Sequence, residues 1–452
     1  MRLSLAVLLC ALTALPVMAA TSGQERTMVA AIDVEQPWAI DFLEQLVNVN
    51  SGTYNLPGVT RVGVLLRPEF ESLGFTVVWK PMQATGRAGH LIATHQGRSG
   101  TKRLLLIGHM DTVFELDSPF QKFVRKGDFA NGPGASDDKG GVVVMLAALR
   151  AMHTAGALQK ANIEVVLTGD EEDAGTPLTI ARDDLVAAGK RADVALDFEG
   201  LVVLDGHDMG SIARRSVGSY VITTHGVAAH SSGIFSPGVG DGAIFELASI
   251  ISAFRAELPE PNLTFNIGVI AGGTSAAFNS DATGASATGK TNITPSNAMA
   301  SGDFRALTEA QDERVRTRMQ AIVARGAPKT TAQIVFGEIY PPMAPTAGNR
   351  ALLAQLNGVN ADLGLPQMPE LDPLMRGAGD ISFVAQDVDG LAGLGTTSSG
   401  DHTSAETVDL GSIDRQGKRA AMLMTRLSRE SRNAGPRPGA NSNNNAVVHD
   451  RS

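Results

Sequence analysis

Cysteine is almost absent: Cys10 is the only one in 452 residues, and it lies in a short N-terminal leader. Without that leader the chain has neither disulfides nor thiolate ligands, so any metal must be held by His, Asp and Glu. Runs of Lys or Arg are missing too, which removes the usual signature of a nucleic-acid or lipid surface. No internal repeat is found. The leader's apolar run, Leu3 to Leu15, falls short of the ~20 residues a spanning helix needs, and Pro16 interrupts it, so no stable membrane anchor is expected.

The leader, MRLSLAVLLCALTALPVMAA, reads instead as an export signal. Arg2 supplies the positive start, Leu3 to Leu15 the apolar centre, and Val17-Met18-Ala19 the small-residue cleavage pattern. A cleaved signal peptide over residues 1–20 and a periplasmic or secreted protein follow as expectations. Arg2 is the leader's only charge, so its removal takes the formal net charge from −9 to −10. The remaining composition, 43% apolar and 19% charged, is that of an ordinary globular chain of two to three domain-sized units.

Helical spacing predicts helices over 36–47, 62–73 (kinked at Pro68) and 141–152. Short apolar runs predict strands over 75–78, 91–93, 104–107, 163–167 and 194–196. This alternation argues for an α/β fold with a mostly parallel central sheet. The pattern then changes. Strands are predicted over 220–224, 263–270, 298–304 and 333–339, and helices over 242–258 and 309–325. These form a two-layer α+β unit inserted into the first domain. The expected organisation is a catalytic domain in two parts, 21–213 and 342–431, around an insert at 214–341, with a disordered tail at 432–452. Small polar residues from Ala276 to Lys290 predict a mobile loop.

Three apolar strands each end in candidate ligands. Leu104 to Ile107 runs into Gly108-His109-Met110-Asp111, Ile163 to Leu167 into Asp170-Glu171-Glu172-Asp173, and Val194 to Leu196 into Asp197-Phe198-Glu199. Sites in open α/β sheets form outside the carboxyl ends of strands. His109 and Asp111, two apart, point the same way in extended chain, so Asp111 can take the free ring N–H of a metal-bound His109. Glu171 and Glu172 point to opposite sides, so one can hold a metal while its neighbour works on a water. In GPGASDDKGG, Asp137 or Asp138 can bridge two cations at a helix N-terminus. SSGDHTSAE places His402 in a polar loop. Four adjacent carboxylates, Asp170 to Asp173, are tolerable if solvent or positive charge lies among them.

GHMDTV, GPGASDDKGG, GDEE, ALDFEG and GDHTSAE, in this order and spacing, resemble the co-catalytic zinc metallopeptidases. That group contains glutamate carboxypeptidase, aminoacylase and succinyl-diaminopimelate desuccinylase. The likeness covers about Gln36 to Leu427 and is greatest to the bacterial, folate-hydrolysing glutamate carboxypeptidases. It implies a zinc-exopeptidase-like catalytic domain holding two Zn2+ per subunit. Asp137 would bridge the ions, His109 and Glu199 complete one site, and Glu172 and His402 the other. Asp111 would orient His109, and Glu171 would be the general base and acid.

The resemblance further implies that the insert is a lid and dimerisation domain, giving a homodimer. His230, in Val227-Ala228-Ala229-His230, would reach the partner's active site; Arg305, in Asp303-Phe304-Arg305, would bind a substrate carboxylate; and Asn292, in Asn292-Ile293-Thr294-Pro295, would contact substrate. The implied activity is carboxypeptidase-type hydrolysis of an amide next to a free C-terminal carboxylate, on a small peptide or acyl-amino acid. Glutamate-cleaving relatives carry a base just before the proline that leaves the lid. Glu338-Ile339-Tyr340-Pro341 has none, so a glutamate side chain is not implied. An aminoacylase or dipeptidase would use the same ligands, and a ligand-binding homologue without activity would be expected to have lost Glu171 or a ligand.

Overall fold

The computed structural model describes residues 21–279 and 282–432; the leader and the tail beyond Arg432 lie outside the described residues. Helix α1 (Gly23–Val47) starts well before Gln36. Ser22 and Glu25 form a capping box that opens it, and Met28 and Ile32 extend its buried stripe. Helix α2 (Leu56–Ser72) also opens earlier than expected, with Asn55 as its cap and a proline in its first turn.

Strands β1 (Thr76–Pro81), β2 (Gly89–His95), β3 (Arg103–His109), β4 (Asn162–Thr168) and β5 (Val194–Asp197) build the central sheet, with Gly390–Leu391 at its far edge. Their order is β1–β2–β4–β3–β5–Gly390–Leu391. Only β2 runs against the others, because both its pairings are antiparallel while β4, β3, β5 and Gly390–Leu391 pair in parallel. Strand β3 is covered on both faces, which explains its unbroken apolar run. Leu104 and Leu106 face the core made with α1, α2 and helix α3 (Lys139–Thr154), whereas Leu105 and Ile107 face Leu185, Ala188, Ile381 and Val384.

The insert holds β6 (Val217–His225), α4 (Ala243–Glu257), β7 (Thr264–Gly273), β8 (Asn297–Arg305), α5 (Glu309–Val323) and β9 (Thr331–Tyr340). Its sheet order is β7–β8–β6–β9, with every neighbouring pair antiparallel. Tyr220 and Ile222 alternate inward against Leu247, Phe254, Val315 and Met319 on the two helices. The stretch expected to be a mobile loop is instead largely a hairpin, Ser275–Phe278 paired with Ala285–Thr288. Small residues leave little apolar signal, but the ladder forms, Ser275 and Thr288 share a hydroxyl contact at 2.7 Å, and the Ala282 carbonyl accepts from Ser301.

The chain enters and leaves the insert side by side, since Arg214 and Met343 exchange backbone hydrogen bonds of 2.9 and 2.8 Å. Helices α6 (Ala347–Leu363) and α7 (Leu410–Leu427) then complete the first domain, α7 packing with α1 and α3. Ser431 and Arg432 remain tied to it, with Arg432 bonded to Gly100 and Asp193. Among the described residues no helix is long and apolar enough to cross a membrane.

Candidate metal centre

The carboxyl ends of β3, β4 and β5 converge as their sequences suggested. His109, the last residue of β3, is buried and lies with Nε2 3.0 Å from Asp137 Oδ1. The other Asp137 oxygen is 3.1 Å from Nε2 of His402, whose same nitrogen is 3.3 Å from Glu172. Asp137 therefore presents one oxygen to each histidine, the geometry a bridging carboxylate needs. Asp138 has a different place. Its Oδ2 accepts the His109 backbone N–H at 3.2 Å, beneath the cluster.

Close packing makes this possible. A Cβ on Gly141, in the first turn of α3, would fall 1.9 Å from the Phe198 carbonyl oxygen and 2.1 Å from Asp138 Oδ1. Glycine there lets α3 press its N-terminus against the end of β5.

Asp111 ties together the ends of β3 and β4 and the loop between α1 and α2. Its carboxylate lies 3.4 Å from His109 Nδ1 and accepts from the backbone N–H of Glu171 (3.0 Å) and Glu172 (3.1 Å) and from Thr53 (2.7 Å). The ring nitrogen also lies 3.2 Å from the Asp111 carbonyl. Glu406, four residues after His402, accepts backbone N–H groups of Gly134, Ser136 and Asp137. It thereby ties the His402 loop to the Asp137 loop, a role that sequence reasoning missed although Glu406 closes the GDHTSAE motif.

The electrostatics call for cations. Burial, then the charge of Asp137, pushes Glu172 up to about 11. Burial, then Glu199, pushes Glu171 well above the usual carboxylate range, and burial does the same to Asp138. Burial opposes ionisation of Asp137, yet His109 and His402 hold it well below that range. Glu172 Oε1 and Asp138 Oδ1 are buried with no hydrogen-bond partner, an expensive condition. His109, Asp137 and Glu172 offer ligand atoms within 4.8 Å of one another. Nitrogen and carboxylate donors of this kind suit a divalent ion such as zinc, so the residues fit the metals that the motifs imply.

Two arginines were not anticipated. Arg214 lies 3.3 Å from Asp197 and donates to Glu199 and to the carbonyls of Gly377 and Ala378. Glu199, expected as a ligand, is thus paired with Arg214 and is 3.5 Å from Arg376. Arg376 Nε is buried and unpartnered. Neither residue falls in a recognised motif, and their contacts to Glu199 span 15 and 177 positions.

These groups line a cavity of about 580 Å³, bordered by Glu171, Glu172, Arg305, Tyr340, Arg376 and His402. Arg305 reaches it from the insert while holding Asp303 at 3.2 Å. His230 does not line it; it is exposed, with Nδ1 2.8 Å from the Ser232 hydroxyl. Asn292 is also exposed, and its carbonyl accepts from Ser231. Of the acidic run, Asp170 is buried against Arg182, while Asp173 meets Arg87 and Tyr54 near the surface.

A parallel-sheet exopeptidase-like domain with an inserted lid, and histidines and acids gathered at its strand ends, defines a metal-dependent hydrolase of peptide or amide bonds. The chain belongs to Peptidase family M20/M25/M40, whose model matches residues 105–428. It is 28% identical over 412 residues to carboxypeptidase G2 of Pseudomonas sp. (strain RS-16), covering 88% of this chain and 91% of that one. It is 26% identical over 398 residues to succinyl-diaminopimelate desuccinylase of Variovorax paradoxus (strain S110), covering 83% and 94%. In fold it resembles aminopeptidase PepT of Bacillus cereus, with a TM-score of 0.69 at 19% identity over 87% of this chain and 99% of that one. It also resembles the Bacillus subtilis YXEP protein, described as a dinuclear metal binding peptidase, with a TM-score of 0.60 at 15% identity over 87% and 99%.

Proposed function

We propose that this chain is an exported dinuclear zinc hydrolase that cleaves an amide bond next to a free C-terminal carboxylate, with a carboxypeptidase G2-like activity. The observation that carries the reading is the position of Asp137 between His109 and His402, beside a cavity that holds Glu171, Arg305 and Arg376. His109, Asp137 and Glu199 would hold one ion, and Asp137, Glu172 and His402 the other. Glu199 would have to turn from Arg214 to do so. Two bound zinc ions supply Lewis-acid polarisation of the carbonyl and a water acidified from about 15.7 towards 7.

The protein's own groups supply the remaining steps. Asp111 holds His109 in orientation and fixes the main chain of Glu171. Glu171 takes the proton of the attacking water and later delivers it to the leaving amine. Arg305 suits the substrate carboxylate, and Arg376, which contacts Glu199 while its Nε has no hydrogen-bond partner, favours an anionic substrate in the same cavity.

His230, exposed on the lid, would serve the active site of a second subunit. Dimerisation through the lid is supported by its exposed apolar side chains, Phe235, Ile244, Phe245 and Ile270, the last on the edge strand β7. Export rests on the leader. A panel of C-terminal dipeptides, acyl-amino acids and folate conjugates, assayed with added zinc, tests the activity. Cleavage of acyl-amino acids alone would replace the carboxypeptidase reading with a deacylase; cleavage of none would remove it.

A further inference from the structure

The peptide of Glu171 is gripped at both ends by different domains. Its N–H is held by Asp111 of the catalytic domain at 3.0 Å. Its carbonyl lies 3.0 Å from the hydroxyl of Tyr340, the last residue of lid strand β9.

The direction of that second bond follows from its neighbours. Arg182 Nη2 lies 2.7 Å from the same hydroxyl. A guanidinium can only donate, so the hydroxyl accepts from Arg182 and its single proton goes to the Glu171 carbonyl. Burial pushes Tyr340 well above the usual phenol range, which keeps that proton in place.

Arg182 itself is fixed. It is 1% exposed and bonded to Asp170 Oδ1 at 2.6 Å, the Asp170 carbonyl at 2.9 Å and Asp380 Oδ1 at 2.7 Å. Asp380 in turn accepts from Thr168, at the end of β4, at 2.6 Å. The Tyr340 ring packs edge-on against Phe383 with centroids 4.7 Å apart. A second contact from β9 reaches the same segment, since Glu338 accepts the Leu178 backbone N–H at 2.9 Å. Pro341 and Pro342 follow at once, stiffening the exit from the lid.

We infer that Tyr340 is a positioning residue that sets the general base from the lid: its hydroxyl, locked by Arg182, holds the Glu171 main chain in register with the substrate cavity. The lid's placement is thereby read directly into the aim of the Glu171 carboxylate. The inference rests on the proposed hydrolase reading for its kinetic consequence, though not for its structural one. The Tyr340 hydroxyl is thus engaged with Arg182 and Glu171.

The test is Tyr340→Phe, which keeps the ring packing and removes only the hydroxyl. Misplacement of a reacting group by about 1 Å can cost 10²-fold. On any substrate the wild type cleaves, kcat should fall roughly 10–100-fold, with KM within about twofold and the metal content unchanged. Unaltered kcat, a rise in KM alone, or loss of metal would each overturn the inference, since each describes a spectator, a substrate contact or a structural support. Amide hydrogen exchange over residues 169–176 needs no substrate and should be several-fold faster in the variant. Equal exchange overturns the inference whatever the activity. A wild type that cleaves nothing would count against the hydrolase reading alone and leave this exchange test standing.

Discussion

Glu171 and Glu172 are neighbours for which different roles are proposed, base and metal ligand, and the division rests on where each is held. Both border the cavity, but Glu172 lies 3.3 Å from His402 Nε2, among the candidate ligands, while the Glu171 carbonyl is held by Tyr340. Glu171→Gln should therefore retain the metals and lose hydrolysis by roughly 10²–10⁴-fold or more, because size is kept and the proton acceptor is removed. Turnover close to that of the wild type would place the base elsewhere. Arg305→Ala should weaken substrates with a free C-terminal carboxylate far more than their amidated forms, since a charge-assisted pair is lost only in the former. Comparable losses on both would make Arg305 a support for Asp303. His109, Glu171, Glu172 and Glu199 could be read as candidates because each follows an apolar strand within a few positions, whereas Asp137 is marked by an acid pair at a helix start and His402 by its polar loop motif. Arg214 and Arg376 were not legible. Their proximity to Glu199 comes from chain folding over long separations, and no local pattern marks it.

Among the elements, buried strands could be read most clearly. Strand β3 is apolar on both faces because helices cover both, so its run of Leu104 to Ile107 had one sensible reading. The start of α1 was harder to see, because its first turn, Gly23 to Thr27, carries no large apolar residue and depends on the Ser22–Glu25 capping box. The hairpin at 275–288 was missed because Ala, Ser and Thr give no contrast between its faces, and backbone pairing decides it. Packing between elements gives two firm expectations. Gly141→Ala forces a methyl into the end of β5 and should cost about 1–3 kcal/mol or more, measurable by denaturant unfolding; a neutral result would mean α3 can shift freely. Arg182→Met leaves Asp170 and Asp380 buried without their cation and should cost about 3–5 kcal/mol. A loss below 1 kcal/mol would show that the cluster is not a structural tie between β4, the Asp380 turn and the lid.

At the scale of the whole molecule, the insert places His230 on an exposed turn away from its own cavity, while exposed apolar side chains gather on the same unit. Mixed dimers of His230→Ala and Glu171→Gln chains should regain part of the activity that each lacks alone, since one of their two sites has both residues intact. Verified subunit exchange with no recovery would confine His230 to its own chain or remove it from catalysis. The most direct measurement for the enzyme as a whole is stepwise zinc loading of metal-stripped protein, followed by elemental analysis and by cleavage of a C-terminal peptide at each step. The ligands argue for occupancy rising to about two ions per chain, with cleavage reaching its plateau at that loading. Saturation at one ion or none, or cleavage indifferent to metal, would contradict the dinuclear hydrolase.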